Sequence, residues 1–367
     1  MHVAYNLLHL VPGETGGGEI YARRLLPALR DLDPDLEMTL FLGGAAADED
    51  WGDGVDVVPL RFDPRSRVRR VLAEQTLLPR AVRAAAPDLL HNLFNTAPAL
   101  PQIPQITTIH DVVFKRFPES GLLAKGVEVV VPLAARRSTR IVTDSEASKS
   151  DLVRFLGVPA ESVDVAPLGP GLPKDAVGPA PAELRLSLGL DDSPLVLSVL
   201  AKRPHKNAER LIEAFAQVPE GVLVIPGYST GYERELDGRI EELDLADRVR
   251  LLGWVDDETL DGLYRAADCF VFPSLAEGFG LPVLEAMLRG APVACSNATS
   301  LPEVAGDAAL LFDPLDVEAI AVSVRRILED DELAERLRAA GLERAQRFSW
   351  DETARRTLAS YRKALGR

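Results

Sequence analysis

The chain has 367 residues, 47% hydrophobic and 26% charged, with a formal charge of −15 at pH 7. One core stops growing at roughly 250–300 residues, so two domains are expected, and the composition excludes a disordered chain. Such acidity disfavours nucleic-acid partners, which need a basic footprint, and no apolar run approaches the ~18 residues that cross a bilayer.

Apolar, β-branched runs alternate with helical patterns along the whole chain, which predicts parallel sheets covered by helices on both faces. In the first half the spacing predicts strands over 2–8, 38–42, 56–60, 88–91, 105–110, 140–143 and 163–167. The opening MHVAYNLLHL alternates like a strand and lacks a basic leader, so no signal peptide is expected. The run "VEVVVPLAA" stops at Pro132. Next comes GPGLPKDAVGPAPAEL, where Pro170, Pro173, Pro179 and Pro181 deny both helix and central strand. The second half predicts strands over 195–200, 222–225, 249–252, 269–272, 292–295 and 309–312. Cys269 and Cys295 fall inside such runs with no metal-ligand spacing, which reads as buried thiols in a reducing, cytoplasmic compartment. The last segment opens on Ser349 with Glu352 three residues on, a capping-box pattern for a final helix. The domains expected are 1–172 and 186–348, with a linker over 173–185 and the final helix over 349–367.

Open α/β sheets bind ligands outside the carboxyl ends of their strands. Several unusual residues follow predicted strands. Glu277 and Glu285 stand eight apart in AEGFGLPVLEAML, with Gly278 and Gly280 forming a turn and Pro282 suited to a first helical turn. The N–H groups from Gly280 to Leu284 are expected free, an anion site, with Glu285 within reach of a ribose diol and Glu277 beside a sugar. In SVLAKRPHKNAERLIEAF, Asn207 reads as an N-cap, and Lys206 with Lys202 or Arg203 would face a diphosphate. His110 ends a strand. Gly16, Gly17 and Gly18 follow another, where a dinucleotide fingerprint would need glycine in place of Tyr21, so close backbone approach to a different ligand is expected. Each has a plainer structural alternative: incidental acids, a solvated basic loop, a core histidine. His2, His9 and His91 are read as structural, and the D-x-D pattern of Asp31, Asp33 and Asp35 as a solvated turn rather than a metal site.

Together with TGGGEIYARRLLPAL, TDSEASKSDL, VRLLGWVDDETLDGLYRAADCFVFPS and SLPEVAGDAALLFDP, these stretches resemble the retaining glycosyltransferases of family 4, group 1, mannosyltransferase-like. The family's E-x7-E is matched by Glu277 and Glu285, its "KN" by Lys206 and Asn207, its "HD" by His110 and Asp111. His205 stands where many members carry arginine. The resemblance implies a GT-B fold: two Rossmann-like, doubly wound domains facing across a cleft, with a C-terminal helix crossing back to the N-terminal domain. It implies sugar transfer from a nucleotide diphosphate sugar, GDP- or UDP-linked, to a carbohydrate or lipid-linked acceptor, with no metal or other cofactor. GDP-mannose is the first choice of donor. Catalysis would fall to His110, Glu277 and Lys206. The donor would be held by Arg203, Lys206, Gly278, Phe279, Gly280, Leu281, Glu285, Gly17 and Gly18.

Arg61, Arg65, Arg67, Arg69 and Arg70 form a basic run in an otherwise acidic chain. With Asp111, Arg67, Arg69 and Arg70 are candidates for an acidic acceptor or for peripheral contact with the inner membrane face. Two other functions fit the same architecture: a sugar-nucleotide epimerase, against which the E-x7-E stretch counts, and a non-catalytic nucleotide-binding subunit, against which the joint presence of His110, Lys206 and both glutamates counts.

Overall fold

The computed structural model describes residues 1–118, 122–173, 176–190 and 193–367. The chain divides into two compact units: Met1–Gly171 together with Ser349–Arg367, and Leu172–Phe348. The first holds β1 (His2–Asn6), β2 (Glu37–Gly43), β3 (Val55–Leu60), β4 (Leu89–Asn92), β5 (Gln105–Thr108), β6 (Arg140–Thr143) and β7 (Val163–Val165), all parallel, in the order β3-β2-β1-β4-β5-β6-β7. The second holds β8 (Leu195–Leu197), β9 (Val222–Ile225), β10 (Val249–Leu251), β11 (Cys269–Phe272), β12 (Val293–Ser296) and β13 (Ala309–Phe312), again parallel, in the order β10-β9-β8-β11-β12-β13. Both are doubly wound, with the strand order reversing between β1 and β4 and between β8 and β11. Such a switch point opens a crevice at the strands' carboxyl ends.

Strands buried on both faces explain the contiguous apolar runs: all four residues of β9, β11 and β12 are buried. The edge strand β3 is only partly covered and tolerates Pro59. Helix α1 (Gly17–Leu32) buries Tyr21, Ala22, Leu25, Leu26, Ala28 and Leu29 on one stripe. Asp31 lies in the last turn of α1, while Asp33, whose carbonyl accepts from Leu36 N, and Asp35 lie in the turn before β2.

Some strands end earlier than expected. β5 stops at Thr108 because the His110 N–H is claimed by Asn95 Oδ1 at 2.9 Å, and β7 stops before Pro167, which has no donor. Of the expected linker, 174–175 lies outside the described residues, and Pro181–Ser187 is helical, with proline at its first position where no N–H is needed.

The final helix, Trp350–Ala364, completes the first unit. Ser349 Oγ caps it by accepting from Glu352 N at 3.2 Å, but only half of the capping box forms, because the Glu352 carboxylate accepts from Arg356 instead, at 2.8 Å. Trp350 Nε1 donates to the Pro170 carbonyl at 2.8 Å, Thr353 Oγ1 to Pro167 at 2.6 Å, and Tyr361 is fully buried with its hydroxyl 2.7 Å from His91 Nδ1. Cys269 and Cys295 are free, buried thiols. Among the described residues no helix is long and apolar enough to cross a membrane.

Candidate active site

In the second unit the β8/β11 switch point brings Lys206 and Glu277 together from loops 71 positions apart in sequence. Lys206 Nζ donates to both Glu277 oxygens, at 2.6 and 2.8 Å, and lies 5.8 Å from the centre of the Phe272 ring. The pair is 20% and 12% exposed, so an anion arriving from solvent can reach the ammonium.

Around it, neighbouring loops fix the backbone. Asn207 does not cap its helix: it takes a left-handed conformation (φ 63°), and Nδ2 donates to the carbonyls of Pro273 and Pro314, tying the loops after β8, β11 and β13. Lys202 is no phosphate ligand either. Its side chain is fully buried, with Nζ donating to the Gly227 and Leu252 carbonyls, so it links the ends of β9 and β10. Arg203 remains exposed in the loop.

The segment from Glu277 to Leu281 is pinned from the loop after β12. Glu277 N donates to Thr299 Oγ1 at 2.9 Å, and Ser300 Oγ donates to the Glu277 and Phe279 carbonyls at 3.1 and 2.7 Å. Gly280 needs to be glycine: its φ is 117°, and a Cβ there would meet Leu301 Cδ2 at 2.7 Å. The expected row of free N–H groups is shorter than the sequence implied, because Val283 and Leu284 both donate to the Gly280 carbonyl. Those of Phe279, Gly280 and Leu281 are without a partner among the described residues.

Glu285, on the helix Leu281–Leu288, is not an open carboxylate. It is 6% exposed, Oε1 accepting from Leu172 N at 3.1 Å and Oε2 from the Tyr264 hydroxyl at 3.0 Å. Burial pushes its pKa up to about 7 despite those bonds and the Arg289 charge. Each oxygen keeps a second lone pair, so a hydroxyl can still be accepted.

In the first unit, His110 follows β5 and Asp144 follows β6. His110 Nδ1 lies 2.9 Å from Asp144 Oδ2, with Asp144 only 3% exposed. Burial works against a charged ring. The attraction and hydrogen bond of Asp144, then the Asp111 charge, outweigh it and hold the imidazole above its ordinary pKa. The other nitrogen, Nε2, is buried and forms no hydrogen bond with the described residues, although the Leu93 carbonyl stands near enough to favour the charged form. Tyr21 packs edge-on at 4.7 Å, and its hydroxyl continues through Thr108 and His91 to Tyr361. Asp111 Oδ1 accepts from Val113 N.

The glycines after β1 divide. Gly16 needs its positive φ of 63°, Gly18 leaves room for Phe94, which a Cβ would meet at 2.8 Å, and Gly17 has nothing within 4 Å of a Cβ position. No protein neighbour demands glycine at 17. The arginine run divides as well. On helix α2 (Arg67–Ala85) and before it, Arg65 pairs with Glu14 and Arg69 with Asp63, Arg67 is exposed, and Arg70 turns inward.

Two family models match, "Glycosyltransferase Family 4" over residues 15–169 and "Glycosyl transferases group 1" over 182–344. The O-antigen chain mannosyltransferase B of Escherichia coli is 35% identical over 270 residues, 70% of each chain. The chain is a family 4, group 1 glycosyltransferase. An MMP alpha-(1->4)-mannosyltransferase of Mycolicibacterium hassiacum is 34% identical to this glycosyltransferase over 64% of the chain, which spans just over half of that relative, 56%. The solved sucrose-phosphate synthase of Thermosynechococcus elongatus superposes with a TM-score of 0.80 at 26% identity, covering 99% of this chain and 98% of its own. The glycosyltransferase has the GT-B fold.

Sequence reasoning located Lys206, Glu277, Glu285 and His110 but missed what holds them. Asp144 lies inside TDSEASKSDL, where Ser145 caps the helix Glu146–Asp151 and gives the motif a sufficient local reason. Tyr264 lies inside VRLLGWVDDETLDGLYRAADCFVFPS, where burial on the helix Asp257–Ala266 gives it a sufficient local reason, and Thr299 lies outside every quoted stretch.

Proposed function

We propose that this glycosyltransferase moves a sugar from a nucleotide diphosphate sugar to a carbohydrate or lipid-linked acceptor, with retention of anomeric configuration and without a metal. Mannose from GDP-mannose is the favoured donor, supported by the mannosyltransferase relatives. The observation that carries the reading is the Lys206–Glu277 pair beside the unclaimed N–H groups of Phe279, Gly280 and Leu281 at the β8/β11 switch point. A leaving diphosphate develops negative charge there, and fixed donors in a partly enclosed site stabilise it without reorganisation.

In this reading Glu277 holds Lys206 aimed, and shares the transferred sugar with the backbone of Phe279 to Leu281. Glu285 accepts a ribose hydroxyl. His110 meets the sugar near its reacting carbon, and Gly17 lets the N-terminal backbone approach the donor. Transfer runs on one face of the sugar, the departing phosphate taking the acceptor hydroxyl's proton as the new bond forms, so no carboxylate nucleophile is needed. The enzyme acts in the cytoplasm, with its acceptor there or at the inner membrane face.

Calorimetric titration with GDP, UDP, ADP and dTDP in metal-free buffer tests the donor half. One nucleotide should bind clearly better than the rest, and Glu285→Gln, which preserves volume and one acceptor, should weaken it about tenfold. Binding of none of the four would sink the reading.

A further inference from the structure

Five residues other than glycine have a positive φ among the described residues: Ala86, Asn95, Asn207, Asp244 and Thr299. Asn and Asp tolerate that conformation, and Ala86 caps the end of α2. Thr299, at φ 50°, is the β-branched one, for which such a backbone is a genuine outlier. It lies in the loop after β12, at the second position of a turn that Leu301 N closes on the Ala298 carbonyl at 3.3 Å. Positive φ at that position favours glycine. Strain of this kind persists only where the surroundings over-determine it, so a threonine there calls for a reason.

The side-chain oxygen supplies one. Neighbouring side chains on an extended chain point to opposite sides. Here the reversed backbone lets two in succession grip a single residue: Thr299 Oγ1 accepts from Glu277 N at 2.9 Å, and Ser300 Oγ donates to the Glu277 carbonyl at 3.1 Å. Glu277 N has no other acceptor among the described residues. Glycine at 299 would be free of the strain but would leave that N–H unclaimed. The Glu277 carboxylate so placed takes Lys206 Nζ on both oxygens, at 2.6 and 2.8 Å. Errors of an ångström in a binding constellation are costly, and side chains that project from loops need such support.

We infer that Thr299 is a positioning residue for the Lys206–Glu277 pair, keeping a strained turn so that its hydroxyl fixes Glu277 where the lysine can meet a diphosphate. This rests on the glycosyl-transfer reading and adds to it a residue that acts through Glu277. The turn gives up stability for aim.

The test has three readouts on the full chain: affinity for the tightest binder among GDP, UDP, ADP and dTDP, the rate at which acetic anhydride acetylates Lys206, and the urea midpoint. Thr299→Val keeps the branch and loses the acceptor, and Thr299→Gly loses both. Each should weaken nucleotide binding about tenfold and let Lys206 react about two- to fivefold faster, toward its rate in Glu277→Gln. Thr299→Ser should restore most of both. The urea midpoint separates positioning from plain stability: Thr299→Gly, relieved of strain, should stand at or above the unmodified protein and above Thr299→Val. An unchanged acetylation rate in Thr299→Val and Thr299→Gly, a Thr299→Ser that restores neither readout, or a Thr299→Gly midpoint that falls with its affinity would each overturn the proposal. So would a nucleotide affinity that ignores a loosened pair. If the unmodified protein binds none of the four nucleotides, the donor reading fails, and the acetylation rates still decide whether Thr299 aims the pair.

Discussion

Each unit places one cation against one carboxylate at the carboxyl ends of its strands, but the two pairs differ in kind. Lys206 and Glu277 straddle a switch point and stay partly open, and their cation is a lysine ammonium. His110 and Asp144 stand one strand away from the switch point, Asp144 is nearly inaccessible, and the cation titrates. A permanent charge suits an anion that is always present, such as a diphosphate. A titratable one, held by a buried acid, ties the chemistry of its own unit to pH.

The sharpest way to break this contrast is Lys206→Ala. Removing a fixed charge from a developing anion should lower kcat about a hundred- to a thousandfold, with the pH dependence of the remaining activity intact. A lost pH dependence would mean that both pairs report on one titration.

Asp144→Asn should cost less, about tenfold in kcat, and should leave nucleotide affinity alone. Its distinctive readout is the pH profile. The raised pKa means that stabilisation by the charged ring is present below the ordinary histidine value and is lost as pH rises through the raised one. Without Asp144 the alkaline limb should move to lower pH. An unmoved limb would reduce the pair to packing.

The smallest effect sharpens the comparison from the other side, because the second unit also holds a titrating group that acts on stability. Glu285 is protonated in both folded and unfolded chains below about its ordinary value of 4.5. Between there and about 7 the unfolded chain releases the proton first, so stability should fall as pH rises through that window and flatten above it. Glu285→Gln should abolish that slope in urea midpoints measured from pH 5 to 8. A slope that persists in the variant would place its source elsewhere.

The thirteen strands of the described residues were legible because parallel strands buried on both faces leave unbroken apolar runs, while their ends were not, since Asn95 or a proline decides where pairing stops. Lys206 and Glu277 were legible as members of motifs. Their mutual bond was not, because it joins distant loops that only the strand order brings together. Lys202 and Lys206 look alike in a basic loop, and burial separates them: one is enclosed by the carbonyls of Gly227 and Leu252, the other stays open. The same holds for the arginines of α2, where a helical turn sends Arg70 inward and Arg69 to Asp63.

The helix that closes the first unit is synthesised only after the whole of the second. Tyr361 belongs to the core beneath His91, and Trp350 packs so closely on Gly169 that a Cβ there would lie 2.6 Å from the Trp350 nitrogen. On the ribosome, all of Leu172–Phe348 must emerge before that seat is filled. At about 5–20 residues per second, the N-terminal sheet waits with an apolar groove uncovered while the later unit folds beside it. A stop codon shortly before Trp350 would therefore spare the unit made second and expose the one made first to aggregation and proteolysis.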